Sequence, residues 1–219
     1  MKGYYVTRSY STHGITPQGL SLIHLINDIG FIAGGYARKC ALPTALDPND
    51  IDIYARNKKD FDEICNRIIT IGRLIGITEA KTTPNSRTFI PEDDTLLPIQ
   101  VIKPVQTPYV TTFGTPETVL NDFSYTTEQF ALTTTENILR TTYNITSLND
   151  TGAKRLRINH ISSPITMFTR YNKYAKAGYT IPLEVTFELL RAWDGRPKKW
   201  RNKVLGSQGS NLYELLAIV

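Results

Sequence analysis

Two aspartates inside one apolar segment constrain the fold of this chain more than any other feature. Residues 31–54 read FIAGGYARKCALPTALDPNDIDIY. A segment that alternates with period 2 and is rich in Ile and Tyr predicts a β-strand, and residues i and i+2 of a strand point to the same face. Asp50 and Asp52 are therefore predicted to aim both carboxylates at one place. Because like charges repel and are costly to bury without a partner, this place requires a positive group.

A divalent cation is one positive group that explains the pair. Two-metal sites hold their ions about 3.5–4 Å apart and clamp the attacking and leaving oxygens of phosphoryl transfer. Oxygen ligands favour Mg²⁺ or Mn²⁺, which also bind substrate phosphates. A structural alternative stays open, in which Arg38 and Arg56 neutralise the acids. A second acid-x-acid pair, Asp60 and Asp62, lies where a helix is predicted to begin, and acids there complement the helix dipole.

Two adjacent glycines precede the aspartates along the chain. Gly34 and Gly35 end the predicted strand GFIAG and open the predicted helix GYARKCAL. Residues without a Cβ let a phosphate approach backbone N–H groups closely, and a helix N-terminus favours an anion. Arg38, one turn into that helix, adds a planar donor that suits phosphate. The order of these elements therefore predicts a site for a phosphorylated substrate and its metal.

Hydrophobic periodicity and capping residues predict the remaining elements. Helices are predicted at residues 17–29, at 58–75 with Asn57 as N-cap, from Thr115 to Leu120, at 164–177, and over PLEVTFELLRAW and NLYELLAIV, with GSQGS as a flexible link. Strands are predicted over DIDIYA, ITEAKT, RTFIP, LPIQVIKP and DFSYTTEQFALTTT. An α/β part and a helical, basic part are expected to meet near residue 150, which gives two domains, 1–150 and 151–219.

Charge is distributed unevenly along the 219 residues. Residues 150–219 hold 12 Lys and Arg against 5 Asp and Glu, whereas the preceding residues hold 13 against 15. The last third is therefore a candidate surface for a polyanion, or alternatively a solvated face that balances an acidic neighbour. Within it, RAWDGRPKKWRNK interleaves Trp193 and Trp200 with basic residues. Such a run is typical of single-strand binding, with tryptophans packed in the core as the open alternative.

Several classes of protein are not indicated by the sequence. The first residues contain no apolar signal region, no window approaches 18 consecutive apolar residues, and the two cysteines, Cys40 and Cys65, show no paired spacing. We therefore expect a cytoplasmic protein with reduced thiols and no membrane partner. The motifs GxSxG, HExxH and GxxxxGK[ST] are lacking, so a serine hydrolase, a zinc hydrolase and a P-loop enzyme are not supported.

Three blocks of residues resemble the nucleotidyltransferase superfamily, which has the fold of DNA polymerase β. GGYAR followed by DIDIY is similar to the superfamily signature, above all in the catalytic heads of tRNA CCA-adding enzymes and bacterial poly(A) polymerases and in small stand-alone enzymes of phages and bacteria. NDFSYTTEQFAL, residues 121–132, resembles the Arg-Asp-Phe-Thr block of those heads, and RYNKYAKAGY, residues 170–179, resembles a segment of the small phage enzymes. The resemblance implies an α+β fold, with a mixed sheet flanked by helices and a C-terminal helical part.

The resemblance also implies roles for the residues of the first block. Gly34 and Gly35 are expected to line the triphosphate of an NTP, with Arg38 beside them. Asp50 and Asp52 are expected to be catalytic and to hold the Mg²⁺ or Mn²⁺ ions.

The other two blocks imply further site residues. Asp122 lies in the block that supports the active site of the CCA-adding heads. Lys173 and Tyr174 are expected to contact the triphosphate and the base, with a solvated lysine and a packing tyrosine as the alternative. Superfamily members usually add a third carboxylate from a neighbouring strand, where this chain has Gln100. Either Asp122 fills that role or the site is electrostatically weaker.

These observations predict a metal-dependent nucleotidyltransferase that moves NMP from an NTP to an acceptor hydroxyl and releases pyrophosphate. An RNA 3′ end along the basic C-terminal part is the first acceptor considered, and a protein hydroxyl, as in nucleotidylating toxins, is the second. Departures from the family pattern at Lys39 and Gln100 leave another hypothesis open, a non-catalytic module of the same fold that binds nucleotide, RNA or protein. The base-selecting Glu-Asp-x-x-Arg motif of the CCA enzymes has no obvious counterpart, so the transferred nucleotide is not predicted.

Overall fold

The chain folds around one mixed sheet. The computed structural model describes residues 4–9, 14–107, 110–136, 138–199 and 201–202. In these residues the strands are β1 (Tyr5–Ser9), β2 (Gly30–Ala33), β3 (Ile51–Ala55), β4 (Ile77–Thr82), β5 (Ser86–Pro91), β6 (Ile99–Ile102), β7 (Phe130–Thr135) and β8 (Ile138–Asn144). The helices are α1 (Pro17–Leu25), α2 (Gly35–Ala41), α3 (Asp60–Ile75), α4 (Pro116–Asn121), α5 (Ile145–Gly152), α6 (Pro164–Lys176) and α7 (Leu183–Asp194), and a 3₁₀ turn, Thr126–Glu128, precedes β7.

β3, the strand that carries Asp52, lies in the middle of the sheet. The strand order is β1-β8-β7-β2-β3-β6-β5-β4. β3 runs parallel to β6, whereas the other neighbouring strands are antiparallel. Along β3, Ile51 and Ile53 are fully buried, while Asp52 and Tyr54 on the opposite face are partly buried. The predicted α+β fold with a mixed sheet is confirmed.

The two faces of the sheet bury different sets of side chains. On one face, α1, α2 and α3 cover an apolar core that includes Ile53 and Ile64. On the other face, α4 packs against β2 through Leu120 and Phe31. A further cluster belongs to α6 and α7 and contains Trp193, which is 8% exposed. Core packing is therefore the correct alternative for this tryptophan, and its proposed role in stacking on a single strand is wrong.

Some predicted helices and strands have different bounds in the structure. The helix predicted over 17–29 ends at Leu25, and a turn over residues 26–29 leads into β2. The helix predicted from residue 58 begins at Asp60, and its N-cap residue is Lys59, so the prediction of Asn57 as N-cap is wrong. The Asn57 side chain instead accepts hydrogen bonds from the N–H groups of Lys59 at 2.9 Å and Asp60 at 3.3 Å, in the turn that precedes the helix. Of the strand predicted over DFSYTTEQFALTTT, only the part that forms β7 is extended in the sheet.

Among the described residues, β1, β8, α5 and the 3₁₀ turn were not predicted from the sequence. α5 begins after Asn144, whose side chain accepts a hydrogen bond of 2.9 Å from the N–H of Thr146. Residue 150 lies inside this helix, and the division into domains 1–150 and 151–219 stays a prediction. Trp200, the link GSQGS and the helix predicted over NLYELLAIV lie outside the described residues.

The structure also describes both cysteines and the composition of the helices. Cys40 and Cys65 are buried and unpaired with each other, and their reduced state stays a prediction. Within the described part of the chain, no helix combines the length and the apolar composition that crossing a bilayer requires.

The N-terminus of α1 docks on α2 through a contact that requires glycine. The hydroxyl of Tyr36 accepts a hydrogen bond of 3.0 Å from the N–H of Thr16 and lies 2.7 Å from the Thr16 hydroxyl. A Cβ added at Gly19 would lie 1.9 Å from Tyr36 Oη and 2.5 Å from its Cζ. Tyr36 is only 3% exposed, so its ring has little room to retreat.

We expect Gly19→Ala to lower the free energy of unfolding by about 1–3 kcal/mol, because the added methyl would displace the buried Tyr36 ring from Thr16. Urea unfolding followed by circular dichroism measures the change. Gly152→Ala is the matched control, since a Cβ there meets nothing within 4 Å, and it should stay within about 0.5 kcal/mol of the wild type. Equal stability of the two variants would contradict the described docking of α1.

Candidate active site

A polar cleft opens on the face of the sheet that carries Asp52. Its volume is about 430 Å³, within the range of small-molecule sites. β3, β6 and the start of α2 line one side of it, and residues 162–174, which include most of α6, line another. The cleft brings together every site residue predicted from the sequence, namely Gly34, Gly35, Arg38, Asp50, Asp52, Asp122, Lys173 and Tyr174.

Asp50 and Asp52 reach the cleft from adjoining backbone positions. Asp52 belongs to β3 and lies in register with Ala33 of β2 and Gln100 of β6. Asp50 directly precedes β3, and its Oδ2 accepts a hydrogen bond of 2.7 Å from Gln100 Nε2. The two carboxylates therefore share the cleft as expected, although only Asp52 lies within the strand.

The pair is electrostatically unfavourable in the protein alone. Burial, followed by the negative charge of Asp50, raises the pKa of Asp52 from 3.8 to about 7. Burial also raises the pKa of Asp50, against the opposing effects of Lys173 and Arg170. Among the described residues, neither aspartate forms an ion pair with Arg38 or with Arg56. The structural alternative, in which Arg38 and Arg56 neutralise the two acids, is therefore wrong.

Gly34 keeps the space next to Asp52 open. It joins β2 to α2 with φ 84° and ψ −137°, a conformation essentially restricted to glycine. A Cβ added there would lie 3.5 Å from Asp52 Oδ2. The N–H of Gly34 donates to the carbonyl of Phe130 at 2.9 Å, so this donor belongs to the sheet. Gly35, which begins α2, borders the same cleft.

Arg38 is buried and joins three parts of the structure. It is 2% exposed. Its Nη1 donates to Tyr174 Oη at 2.6 Å and to the carbonyl of Thr127 at 3.3 Å, and its Nη2 donates to the carbonyl of Leu46 at 3.3 Å. The guanidinium therefore fixes α2 against the 3₁₀ turn and α6. Its predicted contact with phosphate stays a prediction.

Glu128 is a carboxylate of the cleft that sequence reasoning missed. It ends the 3₁₀ turn, and its side chain is 12% exposed. Oε2 accepts a hydrogen bond of 2.8 Å from Arg170 Nη1, and Oε1 lies 3.4 Å from the Tyr174 hydroxyl. The charge of Glu128 is the main cause that raises the pKa of Arg170, and it also raises that of Asp52. No motif marks this glutamate, because its partner lies 42 residues away along the chain.

Asp122 and Lys173 border the cleft in different ways. Asp122 follows α4, and its Oδ2 accepts a hydrogen bond of 2.6 Å from the N–H of Thr111. This bond holds the segment around Thr111 along the cleft. Lys173 is exposed on α6, and its positive charge opposes the rise in the pKa of Asp50 that burial causes. Tyr174 is 3% exposed and packs edge-on against Tyr179, with ring centroids 4.8 Å apart.

The donor set of the cleft fits Mg²⁺ or Mn²⁺ bound together with a phosphorylated ligand. No group of three or more His, Cys, Asp or Glu side chains in the described residues is arranged to hold a metal ion. Asp50 and Asp52 still offer hard oxygen ligands, and a cation would relieve the repulsion between them. Mg²⁺ usually binds through one or two carboxylates, several waters and substrate phosphates. Two aspartates therefore suffice on the protein side.

Comparison with protein families gives one match. A family model described as Gad2, Gabija anti-defense 2 family protein, matches residues 6–151. Among curated proteins, no sequence matches this chain significantly.

Comparison with solved structures identifies the fold. The CCA-adding enzyme of Thermotoga maritima complexed with tRNA superposes with a TM-score of 0.61 at 16% identity, over 85% of this chain and 45% of that chain. A tRNA-processing enzyme in an apo form gives 0.63 at 14% identity, over 96% and 57%. A CCA-adding enzyme complexed with CTP gives 0.61 at 17% identity, over 84% and 44%. The nucleotidyltransferase fold predicted from the sequence is confirmed, and the chain spans about half the length of these proteins.

We expect Asp52→Asn to raise the free energy of unfolding by about 1–2 kcal/mol in metal-free buffer at pH 8, because it removes a buried charge next to Asp50. Urea unfolding in the presence of a chelator measures the change. Asp62→Asn is the matched control, since Asp62 is an exposed acid at the start of α3, and its effect should be within about 0.5 kcal/mol. A loss of stability in Asp52→Asn would mean that the folded protein already compensates this charge.

Proposed function

Because the chain belongs to the Gabija anti-defense 2 family and has a nucleotidyltransferase fold, we propose that it is a metal-dependent nucleotidyltransferase. It transfers NMP from an NTP to an acceptor hydroxyl, and pyrophosphate leaves. One observation carries the proposal: Asp50 and Asp52 converge in a cleft of about 430 Å³ without an ion pair to either Arg38 or Arg56. Two partly buried like charges cost free energy, which binding of a metal–nucleotide complex would offset.

Asp50 and Asp52 would hold the metal in this proposal. When bound, Mg²⁺ or Mn²⁺ supplies positive charge that neutralises the phosphates and lowers the pKa of the acceptor hydroxyl. The protein contributes rigid placement of the ligands. Asp52 is fixed by the ladders of β3 with both neighbouring strands, and Asp50 is oriented by Gln100. Side chains that are held in this way need little reorganisation when substrate binds.

Cationic side chains of α6 are proposed to bind the triphosphate. Lys173 is exposed at the cleft, and the side chain of Arg170 is 43% exposed although its Nη1 donates to Glu128. The remaining edge of the guanidinium is free to form the planar, forked contact that suits phosphate. Glu128 orients Arg170 for this contact. The absence of a Cβ at Gly34 and Gly35 lets the phosphates approach the backbone.

An RNA 3′ hydroxyl is the acceptor that we propose first. The matched structures include a complex with tRNA and a complex with CTP, and residues 150–219 carry a net charge of +7 that suits a polyanion. A protein hydroxyl is the second candidate, because the family description names an anti-defense role. In either case we place the reaction in the cytoplasm of a cell that hosts a phage, where NTPs and both acceptors occur.

We expect Asp52→Asn to reduce NMP transfer by at least about 10³-fold, because it removes a charged ligand of the proposed metal. The assay incubates the protein with each α-labelled NTP, Mg²⁺ or Mn²⁺, and separate pools of total cellular RNA and protein. Asp62→Asn should keep the wild-type rate. Transfer by Asp52→Asn at the wild-type rate would refute the role of this aspartate. Nucleotide binding with no pyrophosphate release in any pool would instead support the non-catalytic module.

A pair of glycine variants separates backbone strain from an effect on the site. We expect Gly34→Ala to reduce NMP transfer at least about 100-fold, because its methyl group would enter the space beside Asp52. Gly178→Ala is the control, since Gly178 also has a positive φ, 77°, but its Cβ would meet nothing within 4 Å. Both variants should lose about 1–2 kcal/mol of stability, measured by urea unfolding. Equal transfer rates for the two would show that Gly34 is only a structural glycine.

A further inference from the structure

Gln100 lies beside the two aspartates, on the neighbouring strand where a third acid would complete the carboxylate set. It pairs in register with Asp52 across the parallel β3–β6 ladder, and its side chain lines the cleft. Its Nε2 donates a hydrogen bond of 2.7 Å to Asp50 Oδ2. A neutral amide therefore occupies this place, and it is engaged with one of the two carboxylates.

We propose that Gln100 is a positioning residue that orients Asp50 and makes metal binding depend on nucleotide, so that the site takes a metal–nucleotide complex and not a free divalent ion. The inference rests on the proposed function, because it concerns the same two aspartates. The amide of Gln100 donates to Asp50 Oδ2 and so fixes the orientation of this carboxylate, whose Oδ1 accepts no hydrogen bond from Gln100. Asp50 would then present Oδ1 to a metal, and one or two such carboxylates are the usual protein ligands of Mg²⁺.

Two cationic side chains of α6 weaken the attraction of Asp50 for a free cation. The number and charge of carboxylate ligands set the affinity of such a site, and an amide at residue 100 keeps this number at two. Lys173 and Arg170 act on Asp50 with positive charge, and this charge also repels a divalent ion. A triphosphate reverses both effects, because it brings oxygen ligands for the metal and negative charge for the two cations.

The other acids of the cleft do not replace the missing carboxylate. Asp122 Oδ2 is held by the N–H of Thr111 at 2.6 Å. Glu128 is engaged by Arg170 through one oxygen and by Tyr174 through the other. Both acids are therefore oriented by other groups of the protein, and Asp50 and Asp52 are the carboxylates that we assign to the metal.

Binding of free Mn²⁺, measured by electron paramagnetic resonance without nucleotide, tests the role of Gln100. We expect Gln100→Glu to bind Mn²⁺ at least about tenfold more tightly than the wild type, because it adds a third negative ligand beside Asp50. Gln106→Glu is the matched control, since it adds the same charge at an exposed residue that does not line the cleft. The double variant Asp50→Asn/Gln100→Glu again has two carboxylates, and its affinity should return to the wild-type level.

A second measurement needs only the wild-type protein. Mn²⁺ should raise its affinity for nonhydrolysable NTP analogues at least about tenfold, and by linkage the nucleotide raises the affinity for Mn²⁺ by the same factor. Equal Mn²⁺ affinities of the wild type and a folded Gln100→Glu would overturn the inference while leaving the proposed function intact. Nucleotide binding that does not respond to Mn²⁺ would overturn it as well. A wild-type protein that binds no nucleotide and transfers no label would refute the proposed function and the inference together.

Discussion

The pairing of β3 between β2 and β6 is the constraint on which the candidate site depends. Ile51 and Ile53 are fully buried under the helices on one face. A slip of one residue in either ladder would turn these side chains toward the cleft and force Asp52 into the apolar core. The hydrophobic effect therefore fixes the register that exposes the carboxylate. Gly34 lies beside Asp52 because it directly follows Ala33, which pairs with Asp52 in the β2–β3 ladder. Gln100 lies beside Asp52 because the two residues pair in the β3–β6 ladder.

A buried polar network joins the two sides of the cleft. Arg38 is almost fully buried and donates a hydrogen bond to the Tyr174 hydroxyl, which in turn donates to Glu128. Glu128 in turn holds Arg170. Buried charges are tolerated when a connected set of hydrogen bonds satisfies them, and such a set also fixes the elements that carry it. The network thus ties α6 to α2 and to the 3₁₀ turn, and it keeps the cations of α6 in the same cleft as the two aspartates.

Local signals in the sequence were sufficient for much of the fold. α4 and α6 lie where helices were predicted and begin with proline at the first helical position, and Gly178 has the positive φ typical of a residue after a helix end. β1 was missed because its pairing joins residues near the start of the chain to residues 140–144, whereas β8 also forms a hairpin with β7. The strand state of β8 comes from its place between β1 and β7, and local propensity does not report such neighbours.

By itself, the sequence determined that the two aspartates and the Gly-Gly step would each present a local site feature. A spacing of two along a strand and a Gly-Gly step between a strand and a helix act over a few residues, so their geometric consequences follow from local backbone rules. The tertiary structure alone decided the partners of these residues. Gln100 lies 50 residues from Asp50, and Arg170 lies 42 residues from Glu128. At such separations the distance between two side chains is set by the packing of the whole sheet against its helices, and no local pattern encodes it.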